Sequence, residues 1–116
     1  MAKRQNKTEL MQGTLDLLVL RTLRAGPKHG YAIVRHIQET SDGLLQVEEG
    51  SLYPALHRME RRGWIEAEWG LSETKRKAKY YCLTNSGRAQ LKEKTKLWEA
   101  LVGAITGVLS APVKEA

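Results

Sequence analysis

The stretch Glu48-Glu49-Gly50-Ser51-Leu52-Tyr53-Pro54-Ala55-Leu56-His57-Arg58-Met59-Glu60-Arg61-Arg62-Gly63-Trp64 concentrates the side chains best suited to chemistry in this 116-residue chain. Leu52, Leu56 and Met59 recur at i, i+4 and i+7, which puts them on one face of a helix. Ser51, Tyr53, Pro54, His57, Arg58 and Arg61 then fall off that face. Their hydroxyl, imidazole and guanidinium groups suit hydrogen bonding and ion pairing with a polyanion. In a DNA major groove about 12 Å wide, such a short helix brings arginine to base edges or phosphate. The alternative is a solvated amphipathic helix with ordinary surface arginines, and this segment alone does not separate the two. Pro54 fits a helix if Gly50 or Ser51 caps its start, because first-turn amides have no intrahelical acceptor.

Catalysis finds no comparable grouping. His29, His36 and His57 stand at no recognisable catalytic spacing from a carboxylate or a thiol, and no Gly-rich phosphate loop is present. The single cysteine, Cys82, excludes an internal disulfide and a cysteine-rich zinc site, and in a half-buried strand it is expected to be inert. No catalytic residue, metal site or cofactor is therefore expected, and the chain is not read as an enzyme.

The elements that must position the candidate helix can be read around it. A chain of 116 residues, 41% of them apolar, suffices for one domain with a modest core. Leu10, Met11, Leu15, Leu17, Leu18, Val19, Leu20 and Leu23 go nearly all the way round a first helix, so it is expected to be covered on several sides. Ala25-Gly26-Pro27 ends it. His29 to Glu39 reads as a second, amphipathic helix with Tyr31, Ile33, Val34 and Ile37 at apolar positions, closed by Ser41-Asp42-Gly43. After Gly63 the period becomes that of a strand. Ile65, Ala67 and Trp69 alternate with glutamates, and Ala78, Tyr80 and Cys82 alternate with Lys77, Lys79 and Tyr81. Residues 70–76 join the two strands, and Lys75, Arg76, Lys77 and Lys79 concentrate positive charge at the far end. Trp64 and Trp69 are expected to pack at the base of this hairpin.

Three helices followed by a hairpin with a basic tip is the order of a winged helix-turn-helix, whose wing meets the phosphate backbone beside the groove the helix occupies. The charge agrees: 19 Lys and Arg against 13 Asp and Glu leave a net +6, which favours a polyanionic partner. The segments His29-Gly30-Tyr31-Ala32-Ile33, Gly50 to Leu56, Gly63-Trp64-Ile65 and Arg76 to Thr84 together resemble the PadR family of bacterial transcription regulators, over residues 10–110 or so. The resemblance implies a dimeric winged-helix repressor on an inverted repeat in double-stranded DNA. It implies contacts from Tyr31, Ser51, Tyr53, Pro54, His57 and Arg58, and from Lys75, Arg76, Lys77 and Lys79 in the wing; Arg61 joins them on its position along the helix.

Thr84 can cap a fourth helix from Asn85 to about Leu109, roughly 37 Å long and too long for so small a domain to cover. Leu91, Trp98, Leu101, Val102, Ile105, Val108 and Leu109 follow steps of three, four and seven, and are expected to form a homodimer interface. Gly103 and Gly107 allow close helix approach or mark fraying, with fraying the preferred reading. Trp98 is first an interface residue and second a candidate contact for a planar hydrophobic effector.

The expectation is thus a mainly α protein with a small β-hairpin (α+β). It comprises a flexible basic arm over residues 1–8, a winged helix-turn-helix over 9–84, a dimerisation helix over 85–110 and a tail over 111–116. No apolar run reaches the roughly 18 residues of a membrane span, and the start lacks a signal peptide, so a cytoplasmic location without membrane contact is expected. A nonspecific nucleic-acid binder or a protein scaffold on the same fold is the rival reading.

Overall fold

A computed structural model describes residues 12–114. The elements run α1 (Gln12–Leu23), β1 (Lys28–His29), α2 (Gly30–Thr40), α3 (Glu49–Arg61), β2 (Ile65–Leu71), β3 (Lys77–Leu83) and α4 (Asn85–Ser110). The architecture is α+β: four helices and one antiparallel sheet ordered β1-β3-β2. Leu10, Met11 and the arm over residues 1–8 lie outside the described residues.

Leu15, Val19, Leu20 and Leu23 of α1 are buried, and Leu17 and Leu18 pack partly against the same core, as an element apolar on several sides requires. Around α1 gather Ile33 and Ile37 of α2, Leu52, Ala55, Leu56 and Met59 of α3, and Ile65, Tyr81 and Leu83 of the sheet. Gly26, at φ +141°, ends α1 in a conformation that costs a side-chain-bearing residue strain. His29 caps α2, its Nδ1 accepting from the Ala32 amide at 3.2 Å.

Two boundaries differ from the sequence expectation. The strand Lys28–His29 pairs with Tyr81 and Tyr80 of β3 and is too short to leave any periodicity. Helix α3 starts at Glu49, with Glu48 as its N-cap, which puts Pro54 in the second turn instead of the first. Pro54 therefore has no amide to donate to the Gly50 carbonyl four residues back.

Strand β2 turns Ile65 and Ala67 to the core as expected, but the returning strand β3 faces the other way. Ile65, Ala67 and Trp69 pair with Leu83, Tyr81 and Lys79 on one face, while Glu66, Glu68 and Gly70 pair with Cys82, Tyr80 and Ala78 on the other. The inward row of β3 is Tyr81 and Leu83, and Tyr80 and Cys82 are only half-buried. An aromatic stands in each row of β3, so alternation alone does not choose, and a change of one residue turns every side chain over.

Thr84 caps α4, accepting from the Gly87 amide at 3.0 Å while its hydroxyl donates to the Gly63 carbonyl at 2.6 Å. Helix and hairpin base are thereby tied together at Gly87, where an added Cβ would collide with the Trp64 carbonyl oxygen. That oxygen is backbone and already accepts from the Thr84 amide at 3.1 Å, so it cannot step aside. Gly87→Ala is expected to cost about 3 kcal/mol, read as a lowered midpoint of urea unfolding.

Leu91 is 6% exposed and belongs to this chain's own core, which corrects its assignment to an intermolecular surface. From Lys96 to Ser110 every residue of α4 is exposed, and the helix continues unbroken through Gly103 and Gly107. Its 26 residues span about 39 Å. The radius of gyration, 17.0 Å, exceeds the roughly 13 Å of a compact chain this long, as a projecting helix requires.

Candidate nucleic-acid interface

Burying Leu52, Ala55, Leu56 and Met59 against the core turns the opposite side of α3 outward. Ser51, Tyr53, Pro54, His57 and Arg61 are all exposed there. Tyr53 leans on the start of α2: a Cβ on Gly30 would lie 2.5 Å from the Tyr53 hydroxyl oxygen, so this approach exists only because residue 30 is glycine. Tyr31, next in the chain, is exposed, with the Arg35 guanidinium 5.7 Å from its ring centre. The structure thus gathers Tyr31 and Tyr53 where α2 begins, beside the polar side of α3.

Arg58 is not part of that surface. Its Nη2 donates to Asp16 Oδ1 on α1 at 2.8 Å, with the two side chains 19% and 4% exposed, and its Nε is buried without a hydrogen-bond partner. Position off the apolar face predicted an outward arginine. A carboxylate buried in α1, which must be paired to be tolerated there, draws it inward instead.

The wing divides its charge by position. Ser72 to Arg76 form a turn closed by Ser72 N–H to the Arg76 carbonyl and Lys75 N–H to the Ser72 carbonyl, each 2.8 Å. Lys75, Arg76 and Lys77 are exposed around it. Lys79, nearer the base, is half-buried, with its ammonium 3.7 Å from Glu60 Oε1 of α3, so part of its charge is spent within the chain. Glu60, Glu66 and Glu68 line an open cleft of about 480 Å³ at the base. Positive charge is thus exposed at the tip, and carboxylates gather at the base.

Tyr81, on β3 of the wing, is buried near Glu60 and Tyr53 of α3. Burial, then the nearby Glu60 and Tyr53, hold its phenol above the ordinary value, so it serves as a neutral packing group. Trp64, half-buried, has the Arg62 and Lys94 cations each 5.2 Å from its ring centre. Trp69, expected to pack at the hairpin base, is exposed instead. Leu97, exposed on α4, joins the unburied apolar residues there and was not singled out by the spacing of the others.

Residues 19–93 match the Transcriptional regulator PadR-like family, a span that holds α2, α3 and the whole wing. The chain belongs to that family. The negative transcriptional regulator PadR of Bacillus subtilis is 30% identical over 77 residues, covering 66% of this chain and 42% of that regulator. An uncharacterised protein of Lysinibacillus sphaericus is 33% identical over 92 residues, 79% of this chain and 84% of its own length. Among solved structures, a transcriptional regulator from Clostridium thermocellum superposes with a TM-score of 0.75 at 33% identity, covering 82% of this chain and 92% of that one. A PadR family transcription regulator from Clostridium difficile gives 0.72 at 30% identity, covering 83% and 98%. PadR family members are DNA-binding transcriptional regulators, and regulation, not catalysis, is the class of function here. Among the described residues no group of three or more His, Cys, Asp or Glu could hold a metal ion, and no helix is long and apolar enough to cross a membrane.

Proposed function

We propose that this PadR-like regulator acts in the cytoplasm as a homodimeric repressor on a pseudo-palindromic operator. The observation that supports this most directly is that the polar side of α3, Tyr31 at the start of α2 and the cations of the wing turn are all exposed on one domain. In this reading Tyr31, Ser51, Tyr53, Pro54 and His57 enter the major groove. Arg61, Lys75, Arg76 and Lys77 hold phosphate, and Lys79 contributes less because Glu60 shares its charge. Arg58 has no direct role.

The exposed residues Trp98, Leu101, Val102, Ile105, Val108 and Leu109 support dimerisation through α4. Taken with Leu97 at 100° per residue, they cover an arc of about 140°, wider than the stripe one neighbouring helix fills, which fits burial against both α4 and α1 of a second copy. Two reading helices then enter successive major grooves about 34 Å apart, and repression follows by occlusion of polymerase. A planar hydrophobic effector stacked on Trp98 would change the angle between the α4 helices and so the spacing of the reading heads.

Fluorescence anisotropy against the duplex upstream of the gene and against a scrambled duplex, at several salt concentrations, tests the reading. A preference of about a thousandfold is expected. Equal, steeply salt-dependent binding would make the chain a nonspecific binder, and no binding would make it a scaffold. Lys77→Ala is expected to weaken binding to both duplexes alike and to lower the salt slope by about one.

A further inference from the structure

The wing carries a feature that phosphate binding does not use. Trp69 and Leu71, on the same face of β2, are 65% and 67% exposed. Trp69 pairs across the sheet with Lys79, and Leu71 with Lys77. The Lys77 ammonium sits 5.9 Å from the Trp69 ring centre. Large apolar side chains at a hairpin's far end normally lose by exposure, and among the described residues nothing covers these two.

The strand beneath them is stiffened. Tyr80, on the opposite face, donates its hydroxyl to the Leu71 carbonyl at 2.8 Å and lies over Gly70, where a Cβ would stand 3.2 Å from its ring. Its ring also meets the edge of His29, the cap of α2, at 5.4 Å between centres. Pairing continues to the last residues, Leu71 with Lys77, before the turn. The apolar pair is therefore presented at a fixed height and angle to the domain.

We propose that Trp69 and Leu71 form an apolar blade that enters the DNA minor groove beside the operator's major-groove contacts, so that the wing senses groove width as well as charge. The occupant follows from the neighbouring charge: Lys77 stands opposite Leu71 with its ammonium near the Trp69 ring, and Lys75 and Arg76 are exposed in the adjoining turn against one carboxylate there, Glu73, while Lys79, opposite Trp69, is shared with Glu60. A polyanion with apolar surface inside a narrow cleft matches this charge, and the minor groove, about 6 Å wide and floored by sugars and base edges, is such a surface. Because groove width varies with sequence, an apolar contact there discriminates between flanks without hydrogen bonds to bases. This inference rests on the proposed DNA-binding function.

The test uses a duplex selected from a randomised pool by the full-length protein, remade with A·T-rich or G·C-rich flanks, and compares wild type, Trp69→Ala, Leu71→Ala and Lys77→Ala by anisotropy across salt concentrations. Trp69→Ala and Leu71→Ala are expected to lose about tenfold in affinity, keep the wild-type salt slope and lose most of the difference between flanks. Lys77→Ala is expected to lower the slope and keep that difference. Thermal unfolding should be nearly unchanged in both apolar variants, since neither side chain is buried. Wild-type affinity and flank preference in both apolar variants would overturn the blade while leaving the regulator intact, as would a smaller sedimenting mass, which would assign the patch to a second copy. Failure of the wild type to select any duplex would overturn both readings.

Discussion

Trp98→Asp is expected to give a folded monomer with little affinity for its operator. Trp98 is 46% exposed in the single chain and makes no part of its core, so the change leaves the domain's own packing in place. In a two-fold interface the same change occurs twice, with two carboxylates near one apolar seam. Desolvating an unpaired carboxylate costs several kcal/mol, enough to abolish a modest dimer. Light scattering should then read a mass near the 13.1 kDa of one chain in place of twice that value. Affinity should fall by roughly a hundredfold or more, because the second reading head no longer binds at the high effective concentration its partner provides. Trp98→Tyr, which keeps an aromatic ring, should remain dimeric. A Trp98→Asp chain that stayed dimeric would remove the residue from the interface, and with it the argument for an effector stacked there.

The fold was largely legible because its strongest signals are local. The apolar residues of α1 from Leu15 to Leu23, the i, i+4, i+7 row of α3 and the cap at Thr84 each depend on residues a few positions apart, and each appears in the structure. What was not legible depends on pairs distant in sequence. Nothing near Arg58 announces that Asp16, 42 positions away, will turn it inward. Leu91 continues the apolar spacing of α4, yet Thr84 and Gly87 seat the first turns of that helix on the hairpin base, and this draws Leu91 into the core. The facing of β3 was ambiguous because Tyr80 and Tyr81 offer an aromatic to either side. Only the pairing of Ala67 with Tyr81 and Ile65 with Leu83 settles it, and the same register carries Trp69 past the edge of the core into solvent. A signal for Trp69 did exist, in a large aromatic placed close to the turn rather than to the helices.

Arg58→Ala is expected to act on stability, lowering it by about 3–5 kcal/mol, because it leaves Asp16 buried and unpaired between α1 and α3. For a domain of this size that corresponds to a fall of roughly 15 °C or more in Tm. The measurement belongs in the Trp98→Asp background, where dimerisation no longer makes Tm depend on concentration. Asp16→Ala should cost a similar amount by stranding the guanidinium, whose Nε already lacks a partner. The double change Asp16→Leu with Arg58→Met should recover most of the loss, since a well-packed apolar pair avoids the desolvation that both ions suffer. Recovery of stability would then isolate what the ion pair does for function. It joins the helix that fills the core to the helix that presents Tyr53 and His57, and its geometry fixes how α3 is rolled about its own axis. The apolar pair fills the same space without that angular restraint, so the double variant is expected to be stable yet to discriminate less sharply between its operator and a scrambled duplex. Full stability in Arg58→Ala with loss of discrimination would instead mean that the guanidinium leaves Asp16 to meet a base when DNA binds.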